Sequence, residues 1–504
     1  MDGEYGMKNP NAASGKLAGA TSASRFFVAG LPTVGSGFVI RLSCSVLLPV
    51  LLVCGCAAPE PPRVEDYLPR TEVMHAAEPG RGAAPGPSEP LTLDACVRIA
   101  LDNNPVQRAA REGVAAARHA IGEARSAYFP KLTGIIGYSR VEAHNFLQST
   151  TPQGGTLSFD IPARDSYFLT GIFTWTLYDF GSRYSQLKAA MARKGIAESD
   201  LARARLDIAL NVYQAFYALQ VAQEAQTIAR KTVDRAKDNL QLATDRRDVG
   251  AAPEIDVLRA DVDLAQARLD LVRANSLVRT ARGNLNTAMG LPVEMSIDVV
   301  PPPDHIVSPD EIDLQKALDQ AVHRRPEVMS ALHNVDAARR SVSGAKSAFG
   351  PSISLTGVYV QQGTELFPKG QAWFYGVFAS YPVFEGLVKL RRLSRTKSEQ
   401  SQAEAQAAGT VLEVRSEVWL AQSRLTEAYE GIAAAAVLVQ RAEESYRTTR
   451  ERYRNGAATV NELLDAQTAL ARAEASAAQA RWQYRTASAE FRRAVGTLLA
   501  EEER

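Results

Sequence analysis

The chain has 504 residues and a formal net charge of +1, because 57 Lys and Arg side chains are balanced by 56 Asp and Glu side chains. The two signs are scattered through the sequence, so there is no basic stripe and no reason to expect a nucleic-acid partner. Aromatic residues make up only 7%, and the long proline-free stretches are rich in alanine and mixed charge. This composition favours long helices that pack closely together.

The N-terminal part of the chain has the layout of an export signal. Arg41 precedes an apolar run at 42–53, which is shorter than the ~20 residues of a membrane-spanning helix. The run leads to Cys56, and this junction resembles the lipobox of bacterial lipoproteins, where an invariant cysteine is lipidated. We predict a lipoprotein signal peptide over 1–55 and a lipidated Cys56. The alternative is ordinary cleavage near residues 57–58 without a lipid.

Residues 56–90 follow this signal and are rich in proline and glycine. Such a segment is typical of an extended tether. Beyond it, no stretch is long and apolar enough to predict a transmembrane helix.

The remaining sequence contains nearly the same pattern twice. The matched positions are Pro105 with Pro326, Pro130 with Pro351, and the Gly-Ala-Ala segments 250–252 with 456–458. The proline pairs are 221 positions apart and the Gly-Ala-Ala segments are 206 apart. Units of this length are too long for solenoid repeats, which recur every ~20–50 residues. We therefore predict two fused copies of one unit, at 91–295 and 296–499, and a short tail at 500–504.

The first copy is predicted to open with two helices and two strands. A short helix should end before Pro105, because the residue before a proline avoids helical backbone angles. A second helix should follow over 106–127. Apolar and polar residues then alternate from Lys131 and again over 169–177. These segments predict strands with one apolar face, long enough to cross a membrane.

A very long helix follows in the first copy. Residues 183–248 contain no proline and a single glycine, so they predict one helix of roughly 95 Å. The segment 249–252 breaks this helix. Pro253, a residue type favoured in the first helical turn, begins another helix that continues to about Met289.

The second copy is predicted to repeat this order. Its helices should end near Arg325, Ala348, Arg454 and Gly496, with strands near 352–361 and 373–383. The alternation in these strands is less clean, because the second of them is apolar on both faces.

Four strands of membrane-crossing length cannot close a barrel, and an open edge leaves unpaired backbone groups in lipid. Two copies of the chain would give eight strands around a filled interior, and three would give twelve around a bore. Threonines on the polar strand faces favour a wet lumen and hence three copies. The predicted fold class is mixed α and transmembrane β, completed by oligomerisation.

Six short motifs occur in a characteristic order. They are Leu91-Thr92-Leu93, Asn104-Pro105, Phe129-Pro130, Tyr178-Asp179-Phe180-Gly181, Phe384-Glu385-Gly386, and Gly456 followed by Glu462-Leu463-Leu464-Asp465-Ala466. This order over residues 91–499 resembles the TolC/OprM family of outer-membrane efflux proteins. The resemblance implies a homotrimer with a 12-stranded β-barrel and a long α-helical barrel through the periplasm.

The resemblance also implies a function and partners. The protein would be the outer-membrane channel of a tripartite efflux system in a Gram-negative-type bacterium, anchored by lipid. It would act as a passive duct for small molecules delivered by an inner-membrane pump and a periplasmic adaptor. A type I protein-secretion channel is the alternative, since it uses the same fold. A periplasmic coiled-coil scaffold or adaptor without a pore is disfavoured by the strand pairs.

The predicted adaptor contacts are the tips of the two helical hairpins. The tip residues are Val249, Gly250, Ala251, Asn455, Gly456 and Ala457. The resemblance implies that such tips meet the adaptor, and exposed loop tips often carry function. The alternative is turn chemistry alone, because glycine supplies the positive φ of a helix end.

The resemblance also implies a periplasmic gate. Glu462 and Asp465 match acidic positions that constrict the family's entrance, and Tyr453 matches a gate-linking tyrosine. The linking arginine expected two residues after the glycine is replaced by Ala458. The alternative for Glu462 is helix-dipole chemistry, because acids are favoured in a first helical turn. Asp256, its first-copy counterpart, is interpreted as such a helix-start acid.

The sequence offers no reaction chemistry. It has no paired catalytic carboxylates, no Ser/His/Asp set and no phosphate-binding loop. The six histidines lack metal-ligand spacing. We therefore expect no enzyme activity, no cofactor and no metal. The charged pairs 246–247 and 443–444 are predicted to lie on solvated helix faces.

Overall fold

The computed structural model describes residues 90–143, 149–150, 156–157, 161–301 and 306–499. The predicted signal peptide, Cys56, nearly all of the tether and the C-terminal tail lie outside these residues.

Four helices belong to the first half of the described chain. They are α1 (Leu93–Asn103), α2 (Pro105–Ser126), α3 (Ser182–Asp248) and α4 (Glu254–Ala288). Local capping fixes the first two: Oγ1 of Thr92 accepts from the Ala95 amide at 3.3 Å, and Asn104 accepts from the Val106 amide at 2.9 Å. Pro105 then occupies the first position of α2, where its missing N–H costs nothing.

The second half contains a single-turn 3₁₀ helix and four α-helices. They are the 3₁₀ turn Pro309–Glu311, α5 (Leu314–Arg324), α6 (Pro326–Ser347), α7 (Val388–Arg454) and α8 (Val460–Val495). Both α3 and α7 have 67 residues, which corresponds to about 100 Å each. Within the described part of the chain, no helix is both long and apolar enough to cross a membrane.

Four long strands form one antiparallel sheet in the order β1-β4-β5-β6. They are β1 (Lys131–Ala143), β4 (Ile161–Tyr178), β5 (Ser352–Gly363) and β6 (Gly370–Ser380). A small hairpin of β2 (Ser149–Thr150) and β3 (Thr156–Leu157), which the sequence did not indicate, lies between β1 and β4 in the chain. The structure therefore confirms a mostly helical chain with four long antiparallel strands.

Three strand boundaries differ by three residues or more from the sequence prediction, and the first is the start of β6, at Gly370 rather than at 373. β6 ends at Ser380 rather than at residue 383, because Pro382 has no N–H to extend the ladder. β4 begins at Ile161 rather than near residue 169. Its first part breaks the alternation but pairs with β1, where Arg140 lies opposite Asp165.

The register places the apolar sets of neighbouring strands on the same face. Leu132 of β1 is opposite Phe173 of β4, and Ile136 is opposite Leu169. On the other face, Thr174 of β4 is opposite Thr356 of β5. One face of the sheet is therefore more apolar than the other, as the alternation predicted.

The long helices form two hairpins that meet side by side. The first hairpin is α3 with α4, the second is α7 with α8, and the two touch mainly along α3 and α8. The largest apolar core lies toward the strand end of this contact and includes Phe216, Leu219, Leu285 and Trp482. The long helices therefore lie in the order α4-α3-α8-α7, with α4 and α7 at the edges.

Candidate functional site

Both hairpins end in turns of one design. Gly250 has a φ of +73°, its amide donates to the Arg247 carbonyl, and the Ala251 amide donates to the Arg246 carbonyl. At the second tip Gly456 has a φ of +79°. Its amide donates to the Tyr453 carbonyl, and the Ala457 amide donates to the Arg452 carbonyl. These are Schellman caps, which need glycine for the left-handed backbone. The predicted tip residues thus lie at the turns between the paired helices.

The two tips differ in what surrounds them. Val249 is 78% exposed, and a Cβ at Gly250 would meet no atom within 4 Å. A Cβ at Gly456 would lie 3.4 Å from Nη2 of Arg246 in the other hairpin. The first tip is an open surface, whereas the second tip rests on a side chain of its neighbour.

Arg246 is the residue that joins the two tips. Its Nη1 donates to the Tyr453 carbonyl, and its Nη2 donates to the Ala251 carbonyl at 3.0 Å. The guanidinium also lies 4.6 Å from the centroid of the Tyr453 ring, in cation–π geometry. The prediction of a solvated helix face was wrong for Arg246, because its bonding partner comes from a distant part of the sequence.

Tyr453 lies at the centre of this contact. It is 1% exposed and packs with Val460 and Leu463 of α8. Its hydroxyl lies 3.5 Å from Oδ2 of Asp256 in the first turn of α4. Burial raises the pKa of the Tyr453 hydroxyl, and the Asp256 carboxylate raises it further. Sequence reasoning placed Asp256 at a helix start, and the structure adds this contact with the other hairpin.

Glu462 and Asp465 lie in the first turns of α8, where Glu462 is exposed and Asp465 faces away from the buried Leu463. The Thr459 amide donates to Oε2 of Glu462 at 2.8 Å, while Oγ1 of Thr459 accepts from the Glu462 amide at 3.3 Å. This reciprocal pair is a capping box, so the helix-start role of Glu462 is present in the structure.

The two tips are joined by a non-covalent contact between the hairpins. Backbone turns position the tips, and a charged side chain crosses between two hairpins to a carbonyl and a ring. In the part of the chain that the structure describes, no group of three or more His, Cys, Asp or Glu is placed to hold a metal ion.

Comparisons with known proteins identify the family. The family model described as outer membrane efflux protein matches residues 96–291 and 317–497. The toluene efflux pump outer membrane protein TtgC of Pseudomonas putida is 25% identical over 390 residues, covering 74% of this chain and 76% of TtgC. The alkaline protease secretion protein AprF of Pseudomonas aeruginosa is 24% identical over 418 residues, covering 79% of this chain and 83% of AprF.

Solved structures have the same fold. The outer membrane protein VceC of Vibrio cholerae superposes with a TM-score of 0.68 at 19% identity, over 80% of this chain and 96% of VceC. The two segments matched by the family model contain all four long strands and both helical hairpins. The chain therefore belongs to the outer membrane efflux protein family and is an outer-membrane efflux channel.

Proposed function

We propose that three copies of the chain complete this channel. We also propose that its periplasmic entrance is held closed by the contact between the two hairpin tips of each copy. The observation that carries the proposal is that both layers end in unpaired edges. The sheet ends at β1 on one side and β6 on the other. The helical layer ends at α4 and α7. The open strand edges of such a sheet would leave backbone N–H and C=O groups without partners in lipid.

The two edges of each layer are different elements, so the contact between copies is head-to-tail. Such contacts generate a closed ring when the rotation fits. β6 of one copy would pair with β1 of the next, while α7 would pack beside the next α4. Three copies give twelve strands, enough for a bore, whereas two copies give the eight strands of a filled barrel.

The edge helix α4 carries an apolar stripe that supports this packing. Ile255, Leu258, Val262, Leu269 and Val272 are between 46% and 70% exposed. Their spacing follows the a and d positions of a heptad, which is the pattern of a helix that packs against another helix. A neighbouring copy would cover the stripe and remove this apolar area from water.

The two halves of the chain are proposed to be internal repeats, at 91–295 and 296–499. The equal lengths of α3 and α7 support this division. The residue 206 positions after Arg246 is Arg452, and it donates to the Ala457 carbonyl at 3.0 Å just as Arg246 donates to the Ala251 carbonyl.

The entrance is proposed to be gated by Tyr453, Glu462 and Asp465 together with Arg246. Threefold symmetry would arrange Glu462 and Asp465 as rings of carboxylates around the axis. Rings of acidic side chains attract cations and select for them. The exposed residues of both tips, 249–251 and 455–457, are proposed to meet a periplasmic adaptor joined to an inner-membrane pump.

Small molecules are the proposed cargo, in line with the name of TtgC, which describes a toluene efflux pump. A second candidate is protein secretion, which the similarity to AprF favours, because that protein's name describes alkaline protease secretion. Co-expression in a channel-deficient strain with either a resistance pump or a secretion ATPase separates the two. Restored drug resistance without secretion supports the first.

The lipid anchor at Cys56, following the signal peptide at 1–55 and preceding the tether at 56–90, is part of the same proposal. It rests on the sequence at the Cys56 junction. Mass spectrometry of the purified protein should show Cys56 as an acylated N-terminus. A mature N-terminus beyond Cys56 would contradict the anchor and leave the channel proposal standing.

The channel proposal is tested by assembly and conductance. The protein purified in mild detergent should have the mass of a trimer by light scattering, and the trimer should conduct ions in planar bilayers. A monomer would overturn the proposed architecture, and so would a trimer that does not conduct even when Arg246→Ala removes the contact between the tips.

A further inference from the structure

The interface between α3 and α8, here called the seam, contains a series of polar contacts between the largest apolar core and the tips. Arg481 donates to Glu224 at 2.7 Å, and the indole of Trp482 donates to the other oxygen of Glu224 at 2.8 Å. Further toward the tips, Arg235 forms a two-pronged ion pair with Glu474 at 2.9 and 2.5 Å. By contrast, α3 and α4 of the first hairpin pack through an apolar cluster at this level.

A buried hydrogen-bond chain crosses the seam between Arg235 and the tips. The Tyr446 hydroxyl donates to Oδ1 of Asn239 at 3.2 Å, and Nδ2 of Asn239 donates to Oε1 of Gln467. Nε2 of Gln467 then donates to Oδ2 of Asp263 at 2.8 Å. Asn239 and Gln467 are each 1% exposed. This series of hydrogen bonds links all four long helices, in the order α7, α3, α8 and α4.

Burying such a polar cluster between helices carries a desolvation cost. Buried amides and carboxylates lose their hydrogen bonds to water, and only the bonds within the cluster replace them. Burial raises the pKa of Asp263, while the hydrogen bond from Gln467 acts in the opposite direction. An apolar core of similar volume would stabilise a permanent contact at least as well. Polar groups have one advantage over apolar groups here: water satisfies them when the helices part.

We propose that Tyr446, Asn239, Gln467 and Asp263 form a second latch between the two hairpins, which must open in addition to the contact of Arg246 with Tyr453. This inference rests on the proposed gated entrance. Asn239 lies seven residues before Arg246 on α3, so the latch is about 10 Å further from the tips. Entrance opening then requires two separations in each chain, first at the tips and then at the latch.

The apolar interior of the hairpin explains why the separation falls at the seam. Val233, Ala236, Leu264 and Ala267 pack between α3 and α4. Parting these two helices would expose apolar surface to water, which is unfavourable. Parting the seam at the latch exposes two amides, a hydroxyl and a carboxylate, all of which water can solvate. Each hairpin therefore moves as a unit.

Single-channel recording of the full-length trimer in planar bilayers tests the latch. Gln467→Ala leaves Asn239 and Asp263 without their partner, and the ratio of open to closed time should rise by about tenfold or more. Tyr446→Phe removes one hydroxyl, is milder for folding, and should raise the ratio by about twofold to tenfold. The matched control is Asp261→Ala. Asp261 lies 206 positions before Gln467 and is exposed on α4, so its ratio should stay unchanged.

A second variant separates a latch from a merely structural cluster. Replacing Asn239, Gln467 and Asp263 together by leucine keeps the seam packed but makes it apolar. Opening then exposes apolar surface, so the open-to-closed ratio should fall by about tenfold or more. A purely structural role predicts equal ratios in all assembled variants. Trimers of Tyr446→Phe and the triple-leucine protein that gate like the wild type would overturn the latch. Failure of the wild-type protein to assemble or conduct would instead overturn the proposed channel.

Discussion

The two hairpin tips share a backbone design and differ in their contacts. Both end in a Gly-Ala-Ala turn with a left-handed glycine. The first tip has open space around Gly250, whereas the second has Arg246 of the other hairpin beneath Gly456. Residues 455–457 are exposed, as are residues 249–251. The first tip is called the free tip here because its turn is open, and the second is called the engaged tip because it also contacts the other hairpin.

This difference shows that equal turns can make unequal contacts. A duplicated turn needs the same glycine for its backbone, so the local sequence stays the same. Side chains within the neighbouring helical turn decide what each tip contacts. Arg246 crosses to the other hairpin, whereas the bond that Arg452 makes, 206 positions later, is to its own tip carbonyl.

The largest expected effect comes from removing the buried ring at the second tip. Tyr453→Ala deletes a fully buried aromatic side chain, and large aromatic truncations in cores cost about 3–5 kcal/mol. The closed entrance should lose this stabilisation, so trimers should leak ions in planar bilayers. Arg247→Ala, 206 positions earlier, is the control and should stay closed, because Arg247 pairs only with Asp248 and Glu254 of its own hairpin among the ion pairs described. If the Tyr453→Ala trimer leaks no more ions than the wild type, the second tip is not part of the gate.

The next effect separates the two equivalent arginines. Arg246→Ala breaks a charged hydrogen bond and a ring contact between the hairpins, which together should cost about 1.5–3 kcal/mol of closed-state stability. Arg452→Ala breaks a bond within its own tip, so it should have little effect on closure. Open probability in planar bilayers measures both. Equal open probabilities in the two variants would mean that the tips do not differ in function.

The sequence predicted the helices far better than the side chains that join them. Proline and glycine mark helix ends locally, so α3 was placed within one residue of its start. The bond from Arg246 to Tyr453 joins positions 207 apart, and a charged pair in a long helix looks solvated from its neighbours alone. Asn239 was missed for the same reason, since an amide in a charged, alanine-rich helix gives no sign of burial.

The resemblance pointed to an arginine two residues after the second-tip glycine, where this chain has Ala458. The structure shows Arg246 on the ring and carbonyl of Tyr453, reached from the opposite hairpin. Sequence matching by position could not find this residue, because it lies in a different part of the chain. The paired charges at 246–247 were the available signal, and only the packing of α3 against the second hairpin gives it meaning.

The free tip should be sensitive to bulk without loss of assembly. Gly250→Arg adds backbone strain of about 1–2 kcal/mol, because its φ is positive, and places a long cation on the proposed adaptor surface. Export in cells should be lost while the trimer and its closed state persist. Gly250→Ala carries the same strain without the bulk and should retain export. Normal export by Gly250→Arg at normal protein level would reduce the first tip to turn chemistry.

The smallest effect on stability is expected from Glu462 and Asp465, the acids at the start of α8. The double variant Glu462→Gln with Asp465→Asn neutralises both proposed rings while leaving a side-chain oxygen that can still accept from the Thr459 amide. Loss of the favourable helix-dipole interaction should cost only ~0.3–1 kcal/mol per site. If the carboxylates line a constriction, cation selectivity and block by divalent cations should both fall clearly.

The control for this double variant is an acid of the first hairpin, α3 with α4. Glu254 lies in the first turn of α4 and pairs with Arg247 at 3.3 Å, so Glu254→Gln removes one acid near the other tip. Reversal potentials in asymmetric salt should shift for the double variant and stay at the wild-type value for Glu254→Gln. If the double variant keeps wild-type selectivity and block, Glu462 serves only its capping box, and the engaged tip closes the channel through Arg246 and Tyr453 without a carboxylate ring.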